Sequence, residues 1–203
     1  MSTTAVLVID MQNGFVHPEG SLGRAGMGLP DAEPTIAAIE ALIASARASG
    51  LPVVYTRHVI SEGGPEMSAA WRQAAAPAMA VEPRMLSHGS WDARIVDPLA
   101  PAAGDVVVEK NRYDAFLYTD LEDTLRGLGV DRLVVAGVLT NVCVESTVRS
   151  GLERRFDVAV ASDATTAYDG FREPSLTAMG ALFATVAPWS ELVAGADDPV
   201  EVS

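Results

Sequence analysis

Short runs that are apolar on both faces alternate along this chain with stretches whose apolar residues recur at helical spacing. The runs fall at 5–9, 52–56, 105–109, 132–136, 158–161 and 184–187 and are rich in Val, Ile and Ala. A strand that stays apolar at consecutive positions is buried on both sides, as in a parallel sheet. Between the first two runs, Asp31 and Glu33-Pro34 open a helix, and Ile36, Ile39, Leu42, Ile43 and Ala46 give it one apolar stripe. Gly50 and Pro52 stop it. Thr119 and Glu122 predict a capping box ahead of Leu121, Leu125 and Leu128, with Gly127 and Gly129 at the exit. A third helix is expected to start near Asn141 or Val142 and run to about Arg154. Arg149, Arg154 and Arg155 bring cations toward its carboxyl end, where the helix dipole favours them.

This alternation predicts an α/β fold: a three-layer α/β/α sandwich, Rossmann-like, around a mostly parallel sheet of six strands. Ligands in such a sheet sit at the carboxyl ends of the strands. The segment 61–101 breaks the rhythm with Gly63-Gly64, an Ala-rich helical patch at 69–76 and several prolines. So long an excursion is expected to roof the site or to build an oligomer contact. One domain is expected over 1–195, followed by an acidic tail at 196–203.

At 203 residues the chain is long enough to bury a sizeable core. Its formal net charge of -13 repels phosphate backbones and anionic lipid heads, and no Lys/Arg run overrides that field, so nucleic acid is not an expected partner. Small anionic substrates are not excluded by this charge, because a local Lys or Arg can reverse the potential inside a pocket. No apolar run approaches the roughly 20 residues needed to cross a bilayer, so no membrane association is expected. Met1-Ser2-Thr3-Thr4 leads straight into a strand without the basic start of a signal peptide. The lone cysteine, Cys143, allows no intrachain disulfide. A cytoplasmic location is the expectation from both features.

Three residue types with chemical capacity stand where strands meet loops. Asp10 ends the first run in Val8-Ile9-Asp10-Met11-Gln12-Asn13, and Lys110 ends the third in Val108-Glu109-Lys110-Asn111-Arg112-Tyr113. Alone, the first reads as a turn former and the second as a solvated lysine. Cys143 follows the fourth run in Gly137-Val138-Leu139-Thr140-Asn141-Val142-Cys143-Val144-Glu145, where a first helical turn would favour its thiolate. A free cysteine by itself is more often an inert core residue. Placed at one rim of one sheet, the three become a base, a cation and a nucleophile.

With these motifs, and with Gly89-Ser90-Trp91-Asp92, the chain resembles the isochorismatase-like cysteine hydrolases over nearly its whole length. The run Thr140-Asn141-Val142-Cys143-Val144-Glu145-Ser146-Thr147 is similar above all to the ureidoacrylate and biuret hydrolases. The resemblance implies an amidohydrolase that cleaves a C–N bond of a small linear ureido or primary amide compound through a thioester. In it Asp10 is the general base, Lys110 supports the charge and Cys143 attacks, with an oxyanion hole from the N–H groups of Leu139 and Cys143. It also implies a cis peptide between Val138 and Leu139, no cofactor, and assembly as a dimer or tetramer. Leu139 is bulkier than the small residue usual there, which bears on pocket shape.

Other chemistries share this fold. Nicotinamidases of the family carry an Asp-x-His pair and a further His for metal, whereas this chain has only His17, His58 and His88, and no metal site is expected. A vinyl-ether hydrolase needs no thiol, and a non-catalytic binding protein needs none of the three residues. N-carbamoylsarcosine-type hydrolysis stays open. Substrate-wall candidates are Gln12, Phe15, His58, Trp71, Tyr113 and Asn141, with Phe116 and Tyr118 beside them; Phe15, Trp71, Phe116 and Tyr118 read equally as core or subunit contacts, and His58 equally as a structural hydrogen-bonding residue. Trp91 is expected to pack the excursion against the sheet. Arg112 is either a bidentate partner for a substrate carboxylate or an ion pair that orders its loop.

Overall fold

The computed structural model describes residues 3–61 and 68–193. The elements, in chain order, begin with β1 (Thr3–Ile9), the single turns α1 (Asn13–Val16) and α2 (Ser21–Arg24), α3 (Ala32–Ala48) and β2 (Val53–His58). Next come α4 (Ala69–Val81), a 3-10 turn at Asp97–Leu99, β3 (Val106–Lys110), α5 (Leu121–Gly127) and β4 (Val130–Val138). A π-helical turn at Thr140–Val144 leads into α6 (Glu145–Glu153), followed by β5 (Asp157–Thr166), α7 (Arg172–Leu182), β6 (Thr185–Ala187) and α8 (Trp189–Val193). The acidic tail and Gly63-Gly64 lie outside the described residues.

The six strands pair in parallel in the order β3-β2-β1-β4-β5-β6. Alternate residues of β1 feed two cores. Ala5, Leu7 and Ile9 face Leu121, Leu125, Val148 and Met179 of α5, α6 and α7. Val6 and Val8 face Ile39, Leu42, Ile43 and Ala46 of α3, with Leu192 of α8. Helices on both faces explain why β1 is apolar and buried at successive positions, and they make the three layers that the pattern predicts. The strand order reverses between β1 and β4, and the two crossovers that leave there open a crevice at the carboxyl ends of these strands.

Local details depart from expectation for identifiable reasons. The capping box at Thr119 and Glu122 does not form: Asp120 occupies the N-cap of α5, and the Thr119 hydroxyl donates to the Ala115 carbonyl. The Ala-rich patch is a longer helix than expected, capped by the Ser68 side chain and continuing through Pro77 to Val81. With α2 and the loop before β3 it encloses a small third core of Leu22, Ile60, Ala75, Ala78, Met85 and Leu86. Buried Asp92, and not Trp91, fastens this excursion. Its carboxylate accepts from the backbone N–H groups of Ser21 and Leu86 and from the Ser21 hydroxyl. Trp91 is 42% exposed, and its ring meets His17 edge-on.

Candidate active site

β1 ends as its backbone turns left-handed at Asp10, φ 51°. Aspartate tolerates this conformation better than most residues, and here it closes a tight turn in which the Gln12 N–H donates to the Asp10 carbonyl at 2.7 Å. The turn points the carboxylate along the rim of the sheet. On the next strand, in register one step before Asp10, Thr56 donates its hydroxyl to Asp10 Oδ1 at 2.7 Å. Nothing in the sequence marks Thr56. Only the pairing of β1 with β2 brings it beside the carboxylate.

Lys110, the last residue of β3, reaches the same point from two strands away. Its Nζ stands 2.6 Å from Asp10 Oδ2, donates to the Arg112 carbonyl at 2.9 Å, and lies 3.5 Å from Cys143 Sγ. The ammonium thus spends three donors on three acceptors. Both partners of the ion pair are buried. Burial works to strip Lys110 of its proton, but the charge of Asp10, with that of Cys143, outweighs it and holds the ammonium above its ordinary range.

Cys143 lies inside the π-helical turn, not in a first α-helical turn. The turn is tied down on both sides: Thr165 donates to the Gly137 carbonyl while sharing a hydrogen bond with Thr140, and Thr147 donates to the Cys143 carbonyl. The peptide bond between Val138 and Leu139 is cis. The expected low thiol pKa is corrected by the surroundings. Burial pushes the Cys143 thiol up to about 12, Lys110 pulls against this, and the neighbouring Asp10 adds to the rise. The resting group is a thiol beside a carboxylate.

The sulfur opens on a cavity of about 300 Å³ at the switch point of the sheet. Phe15, His58, Trp71, Tyr113 and Asn141 line it together with Leu139 and Cys143. The His58 ring is stacked on Trp71 at 6.2 Å and meets Phe15 edge-on at 6.4 Å. Trp71, Ala74, Ala75 and Met85 come from the excursion, which therefore forms a roof over the cavity. Gln12 does not line it. Its amide is spent on backbone, donating to the His58 and Ala93 carbonyls and accepting from the His58 N–H. Arg112 stays in its own loop, bonded to Asn111 and over the Tyr118 ring. Phe116 packs on Phe156 in the core, and Tyr118 is exposed. Tyr168 and Phe171 join the lining without having been singled out in the sequence, although both follow the end of β5 at the active rim. Met27 joins it too, and no local signal marks that residue. Among the described residues no group of three or more His, Cys, Asp or Glu side chains is placed to hold a metal ion, and no helix is long and apolar enough to cross a membrane.

A family model for the isochorismatase domain matches residues 4–191. The ureidoacrylate amidohydrolase RutB of Methylobacterium radiotolerans is 40% identical over 173 residues, which span 81% of this chain and 67% of that protein. Among solved structures, a cysteine hydrolase from Pseudomonas syringae pv. phaseolicola superposes with a TM-score of 0.82 at 32% identity, covering 94% of this chain and 91% of that one. The N-carbamoylsarcosine amidase of Thermoplasma acidophilum gives a TM-score of 0.75 at 28% identity, covering 98% and 99%.

Proposed function

The chain belongs to the isochorismatase family of hydrolases, and from that premise we propose that it is a cysteine-dependent amidohydrolase acting on a C–N bond of a small linear ureido or primary amide compound. The observation that carries this reading is the convergence of Asp10, at the end of β1, Lys110, at the end of β3, and Cys143, in the turn after β4, with Cys143 lining one cavity.

The geometry supports a two-step sequence. Asp10 takes the Cys143 proton as Sγ attacks the substrate carbonyl carbon, so the thiolate never has to exist as a free resting species. The oxyanion that forms is received by the backbone N–H groups of Leu139 and Cys143. Asp10 then passes its proton to the departing nitrogen, the C–N bond breaks, and an S-acyl thioester remains. Water, losing a proton to Asp10, attacks the thioester. Collapse releases the acid, and Asp10 returns the proton to sulfur. Lys110 keeps a positive charge beside the carboxylate throughout, and Thr56 holds the carboxylate's other oxygen in place. No step draws on a cofactor. A reducing cytoplasm suits an enzyme that depends on its single thiol.

The test is ammonia release from biuret, ureidoacrylate, N-carbamoyl amino acids, maleamate and simple amides, with acyl-enzyme trapped by acid quench and weighed by mass spectrometry. Turnover with adduct on Cys143, lost in Cys143→Ala, is the expected result. Near-normal turnover in Cys143→Ala would remove the mechanism.

A further inference from the structure

The walls of the cavity differ in character from its floor. Among the described residues that line it, none is Lys, Arg, Asp or Glu, and most are aliphatic or aromatic. The nearest ammonium, Lys110, lies behind Cys143 with its three donors committed to Asp10, Cys143 and the Arg112 carbonyl, and Asp10 offsets its charge. Arg112 is engaged by Asn111 and Tyr118. Arg72, next to Trp71 in α4, is exposed and does not reach the lining. None of the residues outside the described ranges is Lys or Arg. A carboxylate brought into such a space would give up its water with no cation to meet it, which is among the most costly transfers a ligand can make. The net charge of -13 would also slow its approach.

What the walls offer instead is apolar surface and hydrogen bonding. Asn141 lines the cavity, and its Oδ1 is buried with no hydrogen-bond partner among the described residues. An unsatisfied buried acceptor beside a nucleophile is matched by a substrate N–H. His58, held between Trp71 and Phe15, presents an imidazole to the same cavity.

Resting on the amidohydrolase reading above, we infer that this cavity selects a neutral amide with an apolar acyl group and discriminates against substrates that carry a carboxylate. The specificity would then differ from that of a hydrolase acting on an anionic ureido acid, although the catalytic floor is shared.

Two compounds of the same shape test this. In succinamate a carboxylate replaces the isopropyl group of 4-methylpentanamide, and the amide end is unchanged. Ammonia release is followed for both at pH 8, where an ordinary imidazole is neutral. The expected kcat/KM for the neutral amide is at least about 100-fold higher. Equal or better use of succinamate overturns the inference. If neither is hydrolysed, each is used to protect Cys143 from iodoacetamide. Protection by 4-methylpentanamide alone upholds the neutral cavity while the amidohydrolase reading falls for simple amides. Protection by succinamate, or by neither, overturns the inference.

Discussion

Gln12 and His58 are joined in both directions: Gln12 Oε1 accepts from the His58 N–H at 2.6 Å, and Gln12 Nε2 donates to the His58 carbonyl at 2.8 Å. A side-chain amide here takes the place of β1 beside the end of β2, since β1 stops at Ile9 while His58 still pairs with Lys110 of β3. It holds the backbone from which the His58 ring enters the cavity, and through Ala93 it ties that backbone to the loop before β3.

Replacing this amide should therefore damage the protein before it damages the chemistry. Gln12→Leu leaves a buried N–H and two buried carbonyls without partners, at a cost of about 2–4 kcal/mol. Urea unfolding is expected to show that loss. Turnover by the folded fraction should fall less than in Cys143→Ala, because Asp10, Lys110 and Cys143 are not touched. A variant as stable as the parent would show that the two-way bond contributes nothing.

The two charges beside Cys143 push its thiol in opposite directions, so their removal should separate nucleophile ionisation from catalysis. Asp10→Asn deletes the charge that raises the thiol pKa and keeps the Lys110 charge that lowers it. The pH midpoint of iodoacetamide alkylation should move down while turnover is abolished. Lys110→Met should move the midpoint up and also abolish turnover. Breaking a buried pair costs about 3–5 kcal/mol, so each variant is first checked by circular dichroism. Midpoints moving the same way in both variants would contradict the electrostatic account.

Alkaline stability follows from the same shift. The folded protein holds the Cys143 proton up to a pKa of about 12, above the ordinary value for an unfolded cysteine. Between these two values the unfolded state has lost the proton and the folded state keeps it, so folding is progressively disfavoured. The contribution is fully present below the unfolded pKa and is lost as pH rises toward the folded one. Lys110, also raised, adds loss in the same direction at higher pH. Denaturant titrations from pH 8 to pH 11 should show a steeper decline for the parent than for Cys143→Ala, the difference isolating the thiol from the tyrosines. Equal slopes would be the contrary result.

Gly137 tests how closely β4 must lie against β1. It has φ 117°, and a Cβ there would stand 2.1 Å from the Ile9 carbonyl oxygen, in backbone that cannot move aside. Gly137→Ala is expected to yield no folded protein. Gly127→Ala, at the end of α5 with nothing within 4 Å, should be neutral or stabilising by about 0.5–1 kcal/mol. Soluble yield and thermal midpoint compare the two, and a folded Gly137→Ala protein would show that the approach is looser than described.

Much of this fold is legible in the amino-acid sequence because its signals are local. An apolar residue at every position of 5–9 says that both faces are covered, and a strand covered on both faces calls for helices on both sides. Asp10 and Lys110 are legible because they stand at strand ends, where chain direction alone sends them to one rim. Other features depend on competition between partners. Thr119 has the right spacing for a capping box, yet its hydroxyl donates to the Ala115 carbonyl and accepts from the Leu121 N–H rather than from Glu122. Gln12 has the composition of a substrate ligand, yet the backbone N–H and carbonyl of His58 claim it first. Cys143 stands near a helix start, yet burial outweighs the Lys110 charge that would ionise it.

By itself the sequence determined the kinds of elements, the layering and the edge of the sheet that carries polar chemistry, since periodicity records what each residue faces. Only the tertiary structure decided that Thr56 stands against Asp10, that Lys110 spans two strands to reach it, and that Trp71 and Met27 line the same cavity as Cys143. Those contacts arise from strand order and register, which place residues far apart in the chain within bonding distance, and hydrogen bonds and charges act only at that distance.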